Sequence, residues 1–249
     1  MKNEQLISRF IAVVSVVLLA VVVVLGLFAT GPDVVQGEYV RLLCVHPGVA
    51  WTAYVAFTIT TLASLLWLWP KTRKPFYDQI AGASAEIGIV FTFLTLATGS
   101  IWAKVTWSAW WIWDARTTST ALLLFMYLGV LAIRTIPATA AMRAQRSAFT
   151  ALIAFVNVPI VHFSVKLWRT QHQGPTLLRP DPTVHGAQLV AMILSFFGFT
   201  AAFFWLLIQR YRVARWEDQL ADGGLSSAIA DRRAEAVVAR PVGSLGGQS

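Results

Sequence analysis

The sequence predicts an all-α membrane protein, a bundle of six transmembrane helices, and three observations carry that expectation. The 249 residues are 57% hydrophobic and only 13% charged. Their charges gather in short clusters between long neutral stretches, the signature of a polytopic membrane chain. Six of those stretches, 10–28, 49–67, 80–98, 118–136, 148–165 and 188–209, approach or reach the about 20 mostly apolar residues that cross a hydrocarbon core of about 30 Å.

The first span follows Lys2 and Arg9, as a secretory signal would, but its apolar core is too long and no convincing small-x-small cleavage site follows it. It reads as a retained helix. Pro47 opens the second span, where a missing N–H and a fixed φ suit the first turn, and so places His46 at the mouth of a helix. Gly99-Ser100 closes the third span. Within that span Glu86 is an intramembrane carboxylate near one end, expected to snorkel or to pair with a cation such as Lys74. Pro159 is expected to kink the fifth span just before His162.

A net charge of +8 invites a nucleic-acid reading, but the cations track the membrane instead. Lys2 and Arg9, then Lys71, Arg73 and Lys74, then Arg134, Arg143 and Arg146, then Arg210, Arg212 and Arg215 fall on one side of successive spans. The positive-inside rule makes that side cytoplasmic, with both termini there. The outer loops, about 29–48, 99–117 and 166–187, carry fewer cations. The expected division is a membrane domain over 1–216 and a polar tail over 217–249, with room for one short helix before it becomes disordered.

Chemistry concentrates in the outer segment Trp107-Ser108-Ala109-Trp110-Trp111-Ile112-Trp113-Asp114-Ala115-Arg116. Indoles at a membrane rim serve either as anchors or as stacking surfaces for a flat ligand. If 107–114 is helical, Trp107, Trp110, Trp111 and Asp114 share an arc of about 100°, with Trp113 and Arg116 off it. An acid among indoles is costly unless indole or backbone N–H groups bond to it, so the face reads as a ligand platform rather than a belt.

All four histidines, His46, His162, His172 and His185, map to outer loops or outer helix ends. Histidine is a usual axial ligand of heme iron, and a porphyrin also needs an aromatic surface and cations near its propionates. Arg116, Lys166, Arg169 and Arg179 are candidates for those cations, and His46 and His172 for the ligand pair. The lone Cys44 excludes an internal disulfide, a CxxCH attachment motif and a thiolate metal site. No nucleotide loop, Ser-His-Asp set or paired-carboxylate site is recognisable, so ATP, if used, is handled by another chain.

The string from Trp107 to Arg116 resembles the WWD signature of the heme-handling membrane proteins of cytochrome c biogenesis. Val45-His46-Pro47, the run 91–102 with Thr98-Gly99-Ser100-Ile101-Trp102, and the run 157–173 with its His162 and His172 resemble, more narrowly, the heme exporter protein C branch of the System I pathway. The likeness covers the first span to the sixth and leaves the tail aside. It implies heme of the b type (protoheme) held at the outer face of a bacterial inner membrane between His46 and His172. The WWD residues Trp107, Trp110, Trp111, Trp113, Asp114 and Arg116 would lie against it.

The same resemblance implies partners: a periplasmic heme chaperone that receives the heme on its own histidine, an ABC ATPase subunit, a membrane permease subunit, a small membrane subunit, and lipid. It implies a holder and positioner rather than an enzyme with a classical catalytic set. His162 matches a family position outside the axial pair, and His185 matches none. Two rivals remain at this point, a b-type cytochrome that moves electrons and a permease subunit for another solute.

Overall fold

The computed structural model describes residues 2–174 and 184–238. The described residues form seven α-helices, α1 (Lys2–Val24), α2 (His46–Leu68), α3 (Pro75–Thr106), α4 (Ala115–Thr135), α5 (Ala140–Phe155), α6 (Asn157–Leu167) and α7 (Gly186–Val238). A π-turn over Leu25–Ala29 extends α1, and a 3₁₀ segment over Glu38–Cys44 leads into α2. Among the described residues six helical stretches are long and apolar enough to cross a membrane: Asn3–Ala29, Glu38–Leu68, Pro75–Thr106, Ala115–Thr135, Ala140–Leu167 and Gly186–Ala221. The six expected spans match them one to one, five lying inside and the fourth, 118–136, running one residue past Thr135. The protein is an all-α, multi-pass membrane protein.

The fifth crossing is two helices, because the ladder breaks at Val156. Pro159 has no N–H for the Phe155 carbonyl one turn back, and its ring crowds that oxygen. The break therefore lies a turn earlier than the residues just before His162. Val156 keeps right-handed angles of φ −55° and ψ −30°, so the chain bends without leaving the bundle. Asn157, buried at the bend, donates from its side-chain amide to the Ser119 carbonyl at 2.8 Å and ties the kink to α4.

Lipid offers no hydrophobic drive for helix association, so close van der Waals packing over small residues must hold the bundle. α2 and α3 meet over Ala53, Ala56, Ala83, Ala85 and Gly88. A Cβ on Gly88 would stand 2.5 Å from Phe57 Cε1. Phe57 cannot retreat, being fully buried and stacked on Tyr127 of α4 at 3.6 Å between ring centroids. Gly48 does the same for α2 and α7, where a Cβ would reach Ser195 Oγ at 2.5 Å. α1 lies on α7, and Ser15 Oγ donates to the Gly198 carbonyl at 3.1 Å.

One end of the bundle is closed by charge. Arg134 forks onto Asp78 at 2.6 and 3.0 Å, and Arg143 reaches Asp78 and Asp218 at 3.6 Å each. Glu86 pairs as expected, but its partner is Arg210 of α7, at 2.6 and 2.9 Å, rather than Lys74. Planar guanidinium forks fit a carboxylate in this way and an ammonium does not. α7 itself continues beyond its membrane-crossing stretch to Val238, so the helix for which the tail has room is a continuation of the last span. The remaining tail residues, 239–249, lie outside the described ones.

Gly88→Ala should cost about 1–3 kcal/mol by overpacking. In a thermal melt of the detergent-solubilised protein it should lower the midpoint. Gly129→Ala, whose Cβ meets nothing within 4 Å, should leave that midpoint unchanged or raise it.

Candidate functional site

At the end of the bundle away from the charge cluster, α2 begins, α3 ends, α4 begins and α6 ends. Between them lies a cavity with about 790 Å³ of empty space, counting the part open to solvent. Its walls include His46, Trp107, Trp110, Trp111, Arg116 and His172. Residues far apart in the chain, from the second crossing to the loop after the fifth, converge here.

His46 is the first residue of α2, fixed there by Pro47 in the first turn. Its Nδ1 lies 2.8 Å from Thr98 Oγ1 on α3, and its ring meets the edge of Trp102 at 5.8 Å. Gly99 lets the ring approach: a Cβ there would stand 3.3 Å from His46 Cε1.

His172 sits in the irregular segment after α6. Its backbone N–H donates to Thr170 Oγ1 at 3.1 Å, and its Nδ1 lies 2.6 Å from Asp114 Oδ2. The ring also meets Trp107 edge-on at 4.9 Å. Burial pushes the Asp114 carboxyl up, but the Thr117 N–H and His172 outweigh it and hold it below the ordinary aspartate value. The carboxylate is therefore ionised, and can only accept.

The stretch 107–114 is not a helix, and the regular-helix arc does not describe it. α3 stops at Thr106, Ser108 takes a positive φ of 58°, and Asp114 is extended at φ −102° and ψ 171°. The physical reason is the aspartate itself. Its Oδ1 accepts the Thr117 N–H at 2.8 Å as the N-cap of α4, and a cap residue has non-helical angles.

The irregular path regroups the residues. Trp107, Trp110, Trp111 and Arg116 reach the cavity wall. Asp114 stands behind His172 rather than on the wall, with a side chain only 6% exposed. Trp113 turns outward, 79% exposed, with its ring edge-on to Trp111 at 5.3 Å.

Arg116 donates to the His162 carbonyl at 3.2 Å and to Ser164 Oγ at 3.5 Å, which ties α4 to α6 beside the cavity. The Trp111 indole N–H is buried without a partner, an orphan donor on the wall. His162 meets the rings of Tyr54 and Phe163, and His185 is exposed near the start of α7; neither lines the cavity. Lys166, over the Phe163 ring at 5.9 Å, and Arg169 are exposed and also off the wall. Arg179 lies outside the described residues. Cys44 is buried beside Thr30, away from the cavity.

Thr98 and the pairing of Asp114 with His172 were not legible beforehand. The cap role of Asp114 had a signal, an aspartate directly before an apolar helix with a threonine three residues on. Among the described residues no group of three or more His, Cys, Asp or Glu could hold a bare metal ion. A pair of imidazoles on an aromatic wall suits a metal that arrives with its own equatorial ligands.

The heme exporter protein C family model matches residues 1–223. A heme exporter protein C of Haemophilus influenzae is 37% identical over 210 residues, 83% of each chain. One of Escherichia coli K12 is 34% identical over 206 residues, 82% of this chain and 81% of its own. A ccmC-like mitochondrial cytochrome c biosynthesis protein of Marchantia polymorpha is 35% identical over 190 residues, 75% of this chain and 80% of its own. Membership follows from a match that runs through every crossing and both ends of the cavity: the chain belongs to the heme exporter protein C family.

Proposed function

We propose that the protein binds heme of the b type at the outer, periplasmic face of a bacterial cytoplasmic membrane, with His46 and His172 as axial iron ligands, and hands it to a periplasmic heme chaperone for c-type cytochrome biogenesis. The observation that carries this reading is the convergence of two imidazoles, each with Nδ1 engaged by a side chain behind it, on one cavity walled in part by Trp107, Trp110 and Trp111. That leaves the two Nε2 atoms for iron.

The remaining parts have chemical roles in the same reading. Trp107, Trp110 and Trp111 supply surface for the ring, and the orphan Trp111 N–H supplies a donor. Arg116 is the cation on the wall for a propionate. Trp113 backs Trp111 from outside, and Asp114 backs His172. The lone Cys44 leaves no motif for covalent attachment to this chain, which suits a cargo that must leave. The protein holds and orients; it needs no catalytic residue of its own, because proximity and orientation alone accelerate transfer to the chaperone.

Orientation rests on charge. The cavity lies opposite the end that bears Lys71, Arg73, Lys74, Arg134, Arg143 and Arg146, and positive-inside places that end in the cytoplasm. Residues 1–216 then form the heme-handling domain and 217–249 a cytoplasmic tail. The partners are an ABC ATPase subunit, a permease subunit and a small membrane subunit of one complex, with lipid around it and no nucleic acid. Against an electron-transfer cytochrome stands the position of the pair, at a helix mouth and in a loop rather than within facing helices.

Purified protein, with whatever partners come with it, should show the absorption of low-spin heme, or acquire it on titration with heme. A preparation that does neither would point to a permease for another solute. His46→Ala and His172→Ala should each weaken or alter ligation, whereas His185→Ala should leave the spectrum nearly unchanged. Retention of the unmutated spectrum and affinity by both of the first two variants would remove the ligand assignment. Trp110→Ala and Trp111→Ala should reduce heme retention more than Trp205→Ala; equal losses would mean that the indoles only anchor the fold.

A further inference from the structure

We infer that Thr98 and Asp114 make the two imidazoles unequal: Asp114 makes His172 the retained, electron-richer iron ligand, and Thr98 leaves His46 as the one that yields to a competing ligand. The inference rests on the heme reading above and adds two positioning residues and an order of release to it.

The hydrogen-bond partners assign one tautomer to each ring. Thr98 Oγ1 lies 2.8 Å from the Leu94 carbonyl one turn back and 3.3 Å from that of Thr95, the back-bonding geometry of a helix threonine. Donating there, the hydroxyl accepts from His46 Nδ1, also at 2.8 Å. His46 carries its proton on Nδ1, and Nε2 keeps a free lone pair. Asp114 as a carboxylate has no proton to give, so His172 also carries its proton on Nδ1 and ligates through Nε2.

The two backing groups differ in kind. His46 donates to a neutral hydroxyl. His172 donates to a carboxylate at 2.6 Å, a short charge-assisted bond that draws the Nδ1 proton outward and raises the donor strength of the opposite nitrogen. The other oxygen of Asp114 is held by the Thr117 N–H at 2.8 Å, and the side chain is nearly inaccessible, so the carboxylate cannot swing away. Asp114 thus gives a loop-borne imidazole the anchorage of a helix terminus. Exchange at iron then breaks the His46 Nε2 bond and forms one to the incoming ligand, with no change in electron count on the metal.

Carbon monoxide on the heme-loaded, reduced protein tests the order. After CO is photolysed away, the iron–histidine stretch seen by resonance Raman reports the ligand that stayed. Asp114→Asn keeps one oxygen, enough for the α4 cap, and turns towards His172 Nδ1 an amide nitrogen that cannot accept its proton. It should lower that frequency and weaken heme binding by about 10- to 100-fold. Thr98→Val should leave the frequency where it is and raise the CO association rate several-fold, and Thr98→Ser should restore the original rate.

A frequency that moves with Thr98→Val, or fails to move with Asp114→Asn, overturns the inference. If Asp114→Asn does not fold, Asp114→Glu, which retains the charge, must keep the original frequency, and a lowered one overturns it equally. Absence of low-spin heme in the unmutated protein is a different outcome, which sinks the heme reading and this inference together. Low-spin heme that is insensitive to both positions sinks the inference alone.

Discussion

In a bilayer a backbone N–H or C=O without a partner has no water to turn to, so the crossing segments must satisfy themselves as helices. In this chain the constraint gathers the irregular connections at the two ends of the bundle. Of the connections at the cavity end, one runs from α3 to α4 and another follows α6, and they carry Trp110, Trp111 and His172. Shape at the cavity comes from loops, while its position comes from helices that have little freedom to move. The Gly88 contact with Phe57 is part of that stiffness, because it sets how closely α2, with His46, lies against α3, with Thr98.

Asp114 links this frame to the chemistry. One carboxylate oxygen ends the irregular Trp-rich segment by starting α4, and the other holds the imidazole of a loop. An alanine could meet neither demand. The helix cap and the hold on the His172 ring are thus one side chain, which gives an acid among indoles a structural task that a membrane anchor would lack.

The six crossings were legible because length and apolarity are one-dimensional properties, and each expected span matches an observed one to within a residue of its bounds or lies inside it. Charge placement grouped all four histidines on one side, and a helix-mouth position, a mid-loop position and the family resemblance singled out His46 and His172; that they meet was not legible. The regular-helix arc over 107–114 was not a sound guide, since Ser108 adopts a positive φ and periodicity carries no information about a chain that leaves helical geometry. Thr98, 52 residues from His46, was invisible for another reason: contact between crossings depends on helix rotation and depth, which hydropathy leaves open. The exchange of Lys74 for Arg210 as the partner of Glu86 has the same origin.

The arginines at the far end act at two separate times. While the chain is being inserted, Arg134, Arg143 and Arg210 count as bare cations, because acidic residues contribute little to the choice of orientation. Once the bundle closes, the same guanidinium groups face Asp78, Glu86, Glu217 and Asp218. The charge of these three that acts on topology during synthesis is therefore neutralised in the finished protein. That end of the bundle is less positive than a cation tally suggests, so anionic lipid headgroups have less hold on it than the sequence alone would lead one to expect.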